Sequence, residues 1–352
     1  MLQKTILVAP LNWGLGHATR CVPIIQQLLA EHFKVVLASD GLAYYFLKME
    51  FPQLPIYQLA TLNVLYAEKR SRQNWNMLKQ IPKLYQFIKE DKKALEILAE
   101  QIQIDGIISD NRPGVFLKGI PCVYVNHQLH VKSGLTTQLS SVLHQQQMRN
   151  FNAIWIPDIE GEPSLSGELG HIHRLKNLPP ITYVGWLSRL EAKSTSNRYD
   201  FCAVISGPEP QRTLFEDLVG DLFLKLPGKK ICITGNTAAV SLSSTFEKKA
   251  MQNSTELNNI LAQSKIVICR SGYTSLMDLL KMQKRSLLVP TPGQFEQEYL
   301  AKRMQELNWF SVCNQEQFLA HAIVELEAIH ENILPVFQDL KLDFSIFKGD
   351  FG

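Results

Sequence analysis

Short apolar runs alternate with amphipathic stretches along this chain, and they fall into two series. The first series is TILVA (5–9), KVVLA (34–38), DGIIS (105–109), CVYV (122–125) and AIWI (153–156). The second is FCAVIS (201–206), KKICIT (229–234), KIVIC (265–269) and SLLVP (286–290). Runs this short and this continuously apolar read as strands of a parallel sheet buried on both faces, with helices between them. CVPIIQQLLA (21–30) is one such helix. A second covers 77–98, where Met77, Ile81, Leu84, Ile88, Leu95 and Leu98 recur at helical spacing and form a core stripe. Between the two series, WLSRLEAKSTSNRY (186–199) is polar, rich in small residues and without period, as a linker is. The expected fold class is therefore α/β: two Rossmann-like α/β/α domains whose parallel sheets face a central cleft. Ligands in such sheets sit beyond the carboxyl ends of the strands, so the chemistry is sought in those loops.

Bulk properties agree. The 352 residues exceed the roughly 250 at which single cores tend to split. A formal net charge of +3 lacks the concentrated basic footprint of a nucleic-acid binder. There is no apolar run of about 18 residues, so the chain is expected to be soluble and cytoplasmic. The six cysteines form no C-x-x-C pair; Cys122, Cys202, Cys232 and Cys269 lie in or beside strand-like runs and read as buried, reduced hydrophobes.

The loop after the first run, APLNWGLGHATR (9–20), has Gly14 and Gly16 where a strand turns into a helix. The third glycine of a dinucleotide fingerprint is replaced by Thr19, although Asp40 stands where that fold keeps its ribose-binding acid. A dehydrogenase thus has half a fingerprint. His17 points elsewhere. At a helix N-terminus an imidazole is biased toward its neutral form, which suits a general base, although a loop histidine without chemistry fits the same residues. Two further loops follow strands of the first half. IISDNRPG (107–114) offers Asp110, Asn111 and Arg112, and VYVNHQLH (123–130) offers Asn126, His127 and Gln128. Asp110 is suited to orient an imidazole or to cap a helix; His127 is the rival to His17 as base.

In the second half, ISGPEPQR (205–212) brings Ser206 and Gly207 to a helix start, where backbone N–H groups can meet a diphosphate. VICRSGYTSLMDLL (267–280) does the same with Arg270, Ser271, Gly272 and Thr274. LLVPTPGQFEQEYLAKRM (287–304) presents Gln294, Glu296, Gln297 and Glu298.

The strand–GxGH–helix opening followed by Arg20, taken with these three loops, resembles the MurG-like, family 28 glycosyltransferases of the GT-B fold. The opening alone is similar also to nucleotide-sugar hydrolases of the pseudaminic acid pathway. The resemblance implies that the Arg270–Ser271–Gly272 turn meets the diphosphate, with Gly14, Gly16, Ser206, Gly207 and Thr274 also on the donor side. Asp278, seven residues past Ser271, would hold the ribose, and Gln294, Gln297 and Glu298 would read the sugar. Glu298 departs from the family's second glutamine. It offers acceptors only, so the donor sugar need not be N-acetylglucosamine. Asn111, Arg112 and Asn126 fall on the acceptor side.

The domains implied are 1–187 (acceptor), a linker at 188–199, 200–330 (nucleotide-sugar donor) and a segment 331–352 packing back on the first domain. The activity implied is inverting transfer of a hexosyl group, from a UDP-sugar in the first instance, to an acceptor hydroxyl of a glycan, lipid or small molecule, with His17 as base, Asp110 and His127 beside it, and no cofactor. With no D-x-D triplet in the chain and only Asp158-x-Glu160 near it, no metal is expected. Basic and aromatic residues in 66–87 (Lys69, Arg70, Arg72, Trp75, Tyr85, Phe87) suit either a solvated loop or peripheral contact with the inner membrane face. The rival readings are a nucleotide-sugar hydrolase in which His17 activates water and a non-catalytic nucleotide-sugar sensor.

Overall fold

The computed structural model describes residues 3–61, 73–130, 137–171, 177–236, 245–329, 332–339 and 341–349. They form two compact units. One comprises the described residues of Met1–Leu65, Asn74–Leu187 and Gln338–Gly352, and the other is built on Ser188–Phe337.

The first unit is a seven-stranded parallel sheet of β1 (Thr5–Pro10), β2 (Lys34–Ser39), β3 (Ile56–Gln58), β4 (Gly106–Asp110), β5 (Cys122–Val125), β6 (Ala153–Ile156) and β7 (Ile181–Tyr183), in the order β3-β2-β1-β4-β5-β6-β7. Its longer helices are α1 (Gly16–Ala30), α2 (Gly41–Glu50), α3 (Gln73–Gln101) and α4 (Thr137–Met148). The central strands are buried on both faces, which is why their sequences are uninterrupted apolar runs. The strand order reverses between β1 and β4, whose register pairs Pro10 with Asp110, and Asp110 in turn pairs with Val125 of β5. Three neighbouring strands thus end level at one edge, at the topological switch point where doubly wound sheets bind ligands. The end of the chain belongs to this unit. The backbone N–H of Leu342 donates to Gln27 Oε1 (3.1 Å), and Phe344 and Phe347 pack on Trp155.

The second unit is a six-stranded parallel sheet, β10-β9-β8-β11-β12-β13. Its strands are β8 (Tyr199–Val204), β9 (Lys230–Ile233), β10 (Glu247–Lys249), β11 (Ser264–Cys269), β12 (Arg285–Leu288) and β13 (Ser311–Val312). Around it lie α5 (Gln211–Lys225), α6 (Ser254–Ala262), α7 (Tyr273–Lys281), α8 (Phe295–Glu306) and α9 (Phe318–Ala328), and its switch point falls between β8 and β11. All six cysteines are free and buried, as their sequence contexts predict. Burial pushes Cys202 and Cys232 far above an ordinary thiol, the latter to about 12, so they are inert hydrophobes.

The differences from the sequence reading have local causes. β3, β7, β10 and β13 run only two or three residues and four strand ends cannot be read from so short a pattern. Leu84, assigned to the core stripe of α3, is instead 40% exposed. Phe87, assigned to a surface aromatic cluster, is buried beneath the Arg112 guanidinium (5.2 Å). Lys69, Arg70 and Arg72 lie outside the described residues, as does the Trp75 side chain.

Candidate active site

The β1–α1 turn needs Gly14 for its conformation: φ is +76°, in the region that favours glycine, and a Cβ there would meet nothing. Gly16 then opens α1, so His17 and Arg20 stand one turn apart on one helix face. His17 Nδ1 lies 2.7 Å from Asp110 Oδ1. Arg20 grips the same carboxylate with both arms of its fork, Nε donating to Oδ2 at 2.5 Å and Nη2 to Oδ1. Its remaining arm, Nη1, lies 2.8 Å from Nδ1 of His127, just beyond β5. Three adjacent strand ends therefore bring together one carboxylate, one guanidinium and two imidazoles. Arg20 and Asp110 are essentially inaccessible, whereas the His17 side chain keeps 12% exposure.

The electrostatics assign the protons. Burial raises the Asp110 carboxyl, but the charge of Arg20, then His17 and their hydrogen bonds, outweigh it and bring its pKa to about 2. Burial, followed by the charge of Arg20, holds the His17 imidazole below 6.5 despite the pull of Asp110. At neutral pH the pair is thus carboxylate and neutral imidazole. A bare ring nitrogen 2.7 Å from a carboxylate oxygen would set lone pair against lone pair, so Nδ1 of His17 carries the hydrogen and donates to Asp110. Arg20 Nη2, 2.9 Å from the same Nδ1, is a second donor converging on Oδ1 rather than a donor to the ring. Nε2 of His17 is left as the basic atom.

The three residues expected on the acceptor side each have partners within the first unit. Arg112 is fully buried. It donates through Nε and Nη2 to Asp91 (2.8 Å each), through Nη1 to Asp40 (2.7 Å) and through Nη2 to the Ala60 carbonyl (2.5 Å). This also disposes of Asp40 as a ribose acid, since its carboxylate answers a buried cation. Asn126 donates to the Gln128 carbonyl (2.6 Å) and lies 2.6 Å from His144 Nε2, while its oxygen accepts from the Gln128 N–H. Burial lowers His144 to about 4, which keeps it a neutral acceptor. Asn111, in the left-handed region at φ 53°, accepts from the Tyr124 hydroxyl at 3.0 Å. Asp158 is likewise engaged, accepting from the Ile159, Leu165 and Ser166 N–H groups and from Trp186 Nε1. Among the described residues no group of three or more His, Cys, Asp or Glu side chains is placed to hold a metal ion.

In the second unit the loops after β8, β11 and β12 gather at one sheet edge. Gly207 requires glycine, with φ +111° and open space where a Cβ would stand, and the half-buried Ser206–Gly207 turn lies a few residues ahead of α5. Within the Arg270–Ser271–Gly272 turn, Arg270 directs its guanidinium inward. It is buried, packs over Phe215 (4.1 Å) and donates to the carbonyls of Gln211 (2.9 Å), Val289 (3.2 Å) and Pro290 (3.4 Å), bracing all three loops at once. Burial lowers its pKa to about 9, which leaves it charged at neutral pH. Ser271 is also turned inward, donating to the Gln297 carbonyl at 2.9 Å, and Gln297 Oε1 accepts from the Thr291 N–H at 3.0 Å. Glu298 accepts from the Gly293 N–H (2.9 Å) and lines a cavity of about 290 Å³ between α8 and β13, with Lys302, Gln305 and Gln315. Gly272 caps α7 with an ordinary φ of −74°, and Thr274 is buried in its first turn. Gln294 caps α8 and keeps a buried Oε1. Asp278 accepts from the Ser188 hydroxyl at 2.6 Å, with Arg189 Nε 3.9 Å away; burial pushes its pKa up against both partners.

Comparison with known proteins gives these loops a context. Residues 214–337 match the glycosyltransferase family 28 C-terminal domain. Among solved structures, the spinosyn rhamnosyltransferase SpnG superposes with a TM-score of 0.60 at 15% identity, over 93% of both chains. The glycotransferase of kitacinnamycin gives 0.61 at 13% identity, over 99% of this chain and 93% of that one. MurG of Acinetobacter baumannii gives 0.53 at 13% identity, over 94% and 92%. No curated protein matches by sequence. Identities this low speak of fold. Two all-parallel α/β units with these structural neighbours make a GT-B fold, and with the matched domain they define a glycosyltransferase. More particularly, the stretch 214–337 of the second unit is similar to the C-terminal domain of the family 28 glycosyltransferases.

Arg20 is the site residue that sequence reasoning passed over, naming it only as part of the opening motif. The signal was present: a cation three residues after a histidine in a helix's first turn shares its face.

Proposed function

We propose that this glycosyltransferase moves a hexosyl group from a nucleotide-sugar, a UDP-sugar first among candidates, to an acceptor hydroxyl with inversion at the anomeric carbon, His17 Nε2 taking the hydroxyl proton. The observation that carries the reading is the 2.7 Å contact of His17 Nδ1 with Asp110. The carboxylate holds the tautomer and ring orientation and stabilises the imidazolium that forms, as in other base–carboxylate pairs. A positioned base contributes about 10²–10⁴ in rate.

The first unit would take the acceptor and the second the donor. The Ser206–Gly207 turn ahead of α5, with the head of α7 at Gly272 and Thr274, suits the developing charge of a leaving diphosphate. Asp278, Gln294 and Gln297 are the donor-side candidates for ribose and sugar. With fixed dipoles in that role, the reaction is proposed to proceed without a metal ion. Support for the substrate classes comes from the neighbour SpnG, solved with spinosyn aglycone and with thymidine diphosphate.

The test is nucleotide release from a panel of UDP-, GDP- and TDP-sugars, with and without a lipid and glycan extract and with and without EDTA. Release that requires extract and survives EDTA, with inverted anomeric configuration in the product, supports the proposal. Free sugar formed at catalytic rates without extract would make the protein a hydrolase.

A further inference from the structure

Arg20 touches every other member of the first-unit site, and nothing in the proposed reaction uses it directly. We propose that Arg20 is a positioning residue that fixes opposite tautomers on the two histidines, leaving a bare Nε2 on His17 and an Nε2–H on His127. The inference rests on the reading of His17 as base.

A guanidinium has donors only. Its Nη1, 2.8 Å from His127 Nδ1, therefore needs a lone pair there, and the single hydrogen of a neutral imidazole must sit on Nε2. The other two arms bind both oxygens of Asp110, which takes the Nδ1 hydrogen of His17. One side chain, inaccessible and held by bidentate geometry, thus makes one imidazole a base and the other a hydrogen-bond donor. His17, expected as the base, and its rival His127 thus become unlike in the fold.

Arg20 also sets the charge state. Among the described residues, the charged and titratable groups near His17 include Arg20, Asp110 and His127, and those near His127 include Arg20, His17 and His144; Cys21 and Tyr124 also face Asp110. Arg20 is the one fixed cation in this set and opposes a second positive charge on His17, so the imidazole stays neutral beside an ionised carboxylate.

The direct test is long-range ¹H–¹⁵N correlation on the ¹⁵N-histidine-labelled full chain above pH 7. A protonated Nε2 on His127 and a protonated Nδ1 on His17 are expected; a protonated Nδ1 on His127 would overturn the proposal. The functional test is the pH dependence of kcat/KM. In Arg20→Gln the acid limb should move up by about one pH unit, because the cation that opposes the imidazolium is gone. In Arg20→Lys the charge stays, so the limb should hold while kcat falls about tenfold or more, since a point charge cannot span three partners. An Arg20→Gln enzyme with an unmoved limb also overturns it, and if that variant fails to fold, the tautomers of the wild-type chain decide. Full turnover by His17→Ala would sink the base assignment while leaving the tautomers as stated, so the two failures are distinct.

Discussion

The Ser188 hydroxyl donates to the Asp278 carboxylate at 2.6 Å, at the residue that family resemblance marks for the donor ribose. The same hydroxyl accepts from the Leu190 N–H at 3.0 Å, so one serine ties the start of the second unit to α7. A ribose diol reaching Asp278 Oδ1, the proposed contact, would compete with the Ser188 hydroxyl. Asp278→Ala should then weaken nucleoside diphosphate binding about tenfold or more, the scale of a hydrogen bond to a charged group, while Ser188→Ala should tighten it by a smaller factor. Calorimetric titration measures both. Unaltered affinity in Asp278→Ala, with equal loss of thermal stability in the two variants, would reduce Asp278 to an anchor for the 188–190 segment.

Arg112 looks like an acceptor ligand in the sequence and is the hub of a buried ion cluster in the fold. Arg112→Ala leaves the carboxylates of Asp91 and Asp40 buried without their cation, which should cost about 3–5 kcal/mol of stability. Chemical denaturation reads this directly. Turnover per folded molecule at low temperature should stay near that of the wild type; a stable but inactive variant would restore the acceptor role.

Arg270 should behave similarly in the second unit. Arg270→Met keeps the packing on Phe215 but leaves the carbonyls of Gln211, Val289 and Pro290 without a donor, a loss of about 1–3 kcal/mol. Melting temperature should fall and nucleotide affinity fall with it, because the loops proposed to frame the donor are loosened together. Lost affinity at unchanged stability would instead put the guanidinium on the diphosphate.

The pH behaviour follows from the two shifted groups. His17 titrates below 6.5 in the folded protein, so the acid limb of kcat/KM should fall below that pH and activity persist into mildly acid solution. For stability the sign is the usual one for a depressed carboxyl. The Asp110 pairing contributes fully above its unfolded value of 3.8 and is lost as pH falls toward about 2. His17 adds to this, since an imidazole lowered by folding favours the unfolded chain once pH drops below 6.5. An acid limb above 6.5 would show that another group controls turnover.

The architecture was legible in the sequence because central strands of a parallel sheet are buried on both faces, and TILVA or KIVIC can hardly be read otherwise. The edge strands were not, since two or three half-exposed residues have no period. At the site, the glycine turn and the His17–Asp110 pair were legible because both lie at strand ends. Whether a polar side chain faces a ligand or the scaffold was not, because that depends on partners far away in the chain. Arg112 meets Asp91 and Asp40, 21 and 72 residues distant, and Asp278 meets Ser188, 90 residues distant.

The most direct test of the account is single-turnover transfer by His17→Ala beside the wild type, with donor affinity measured on the same samples. The account predicts a loss of about 10²–10⁴ in the chemical step with nucleotide binding nearly unchanged. Transfer at close to the wild-type rate would contradict it, and the pair His17–Asp110 would then be part of the scaffold rather than of the chemistry.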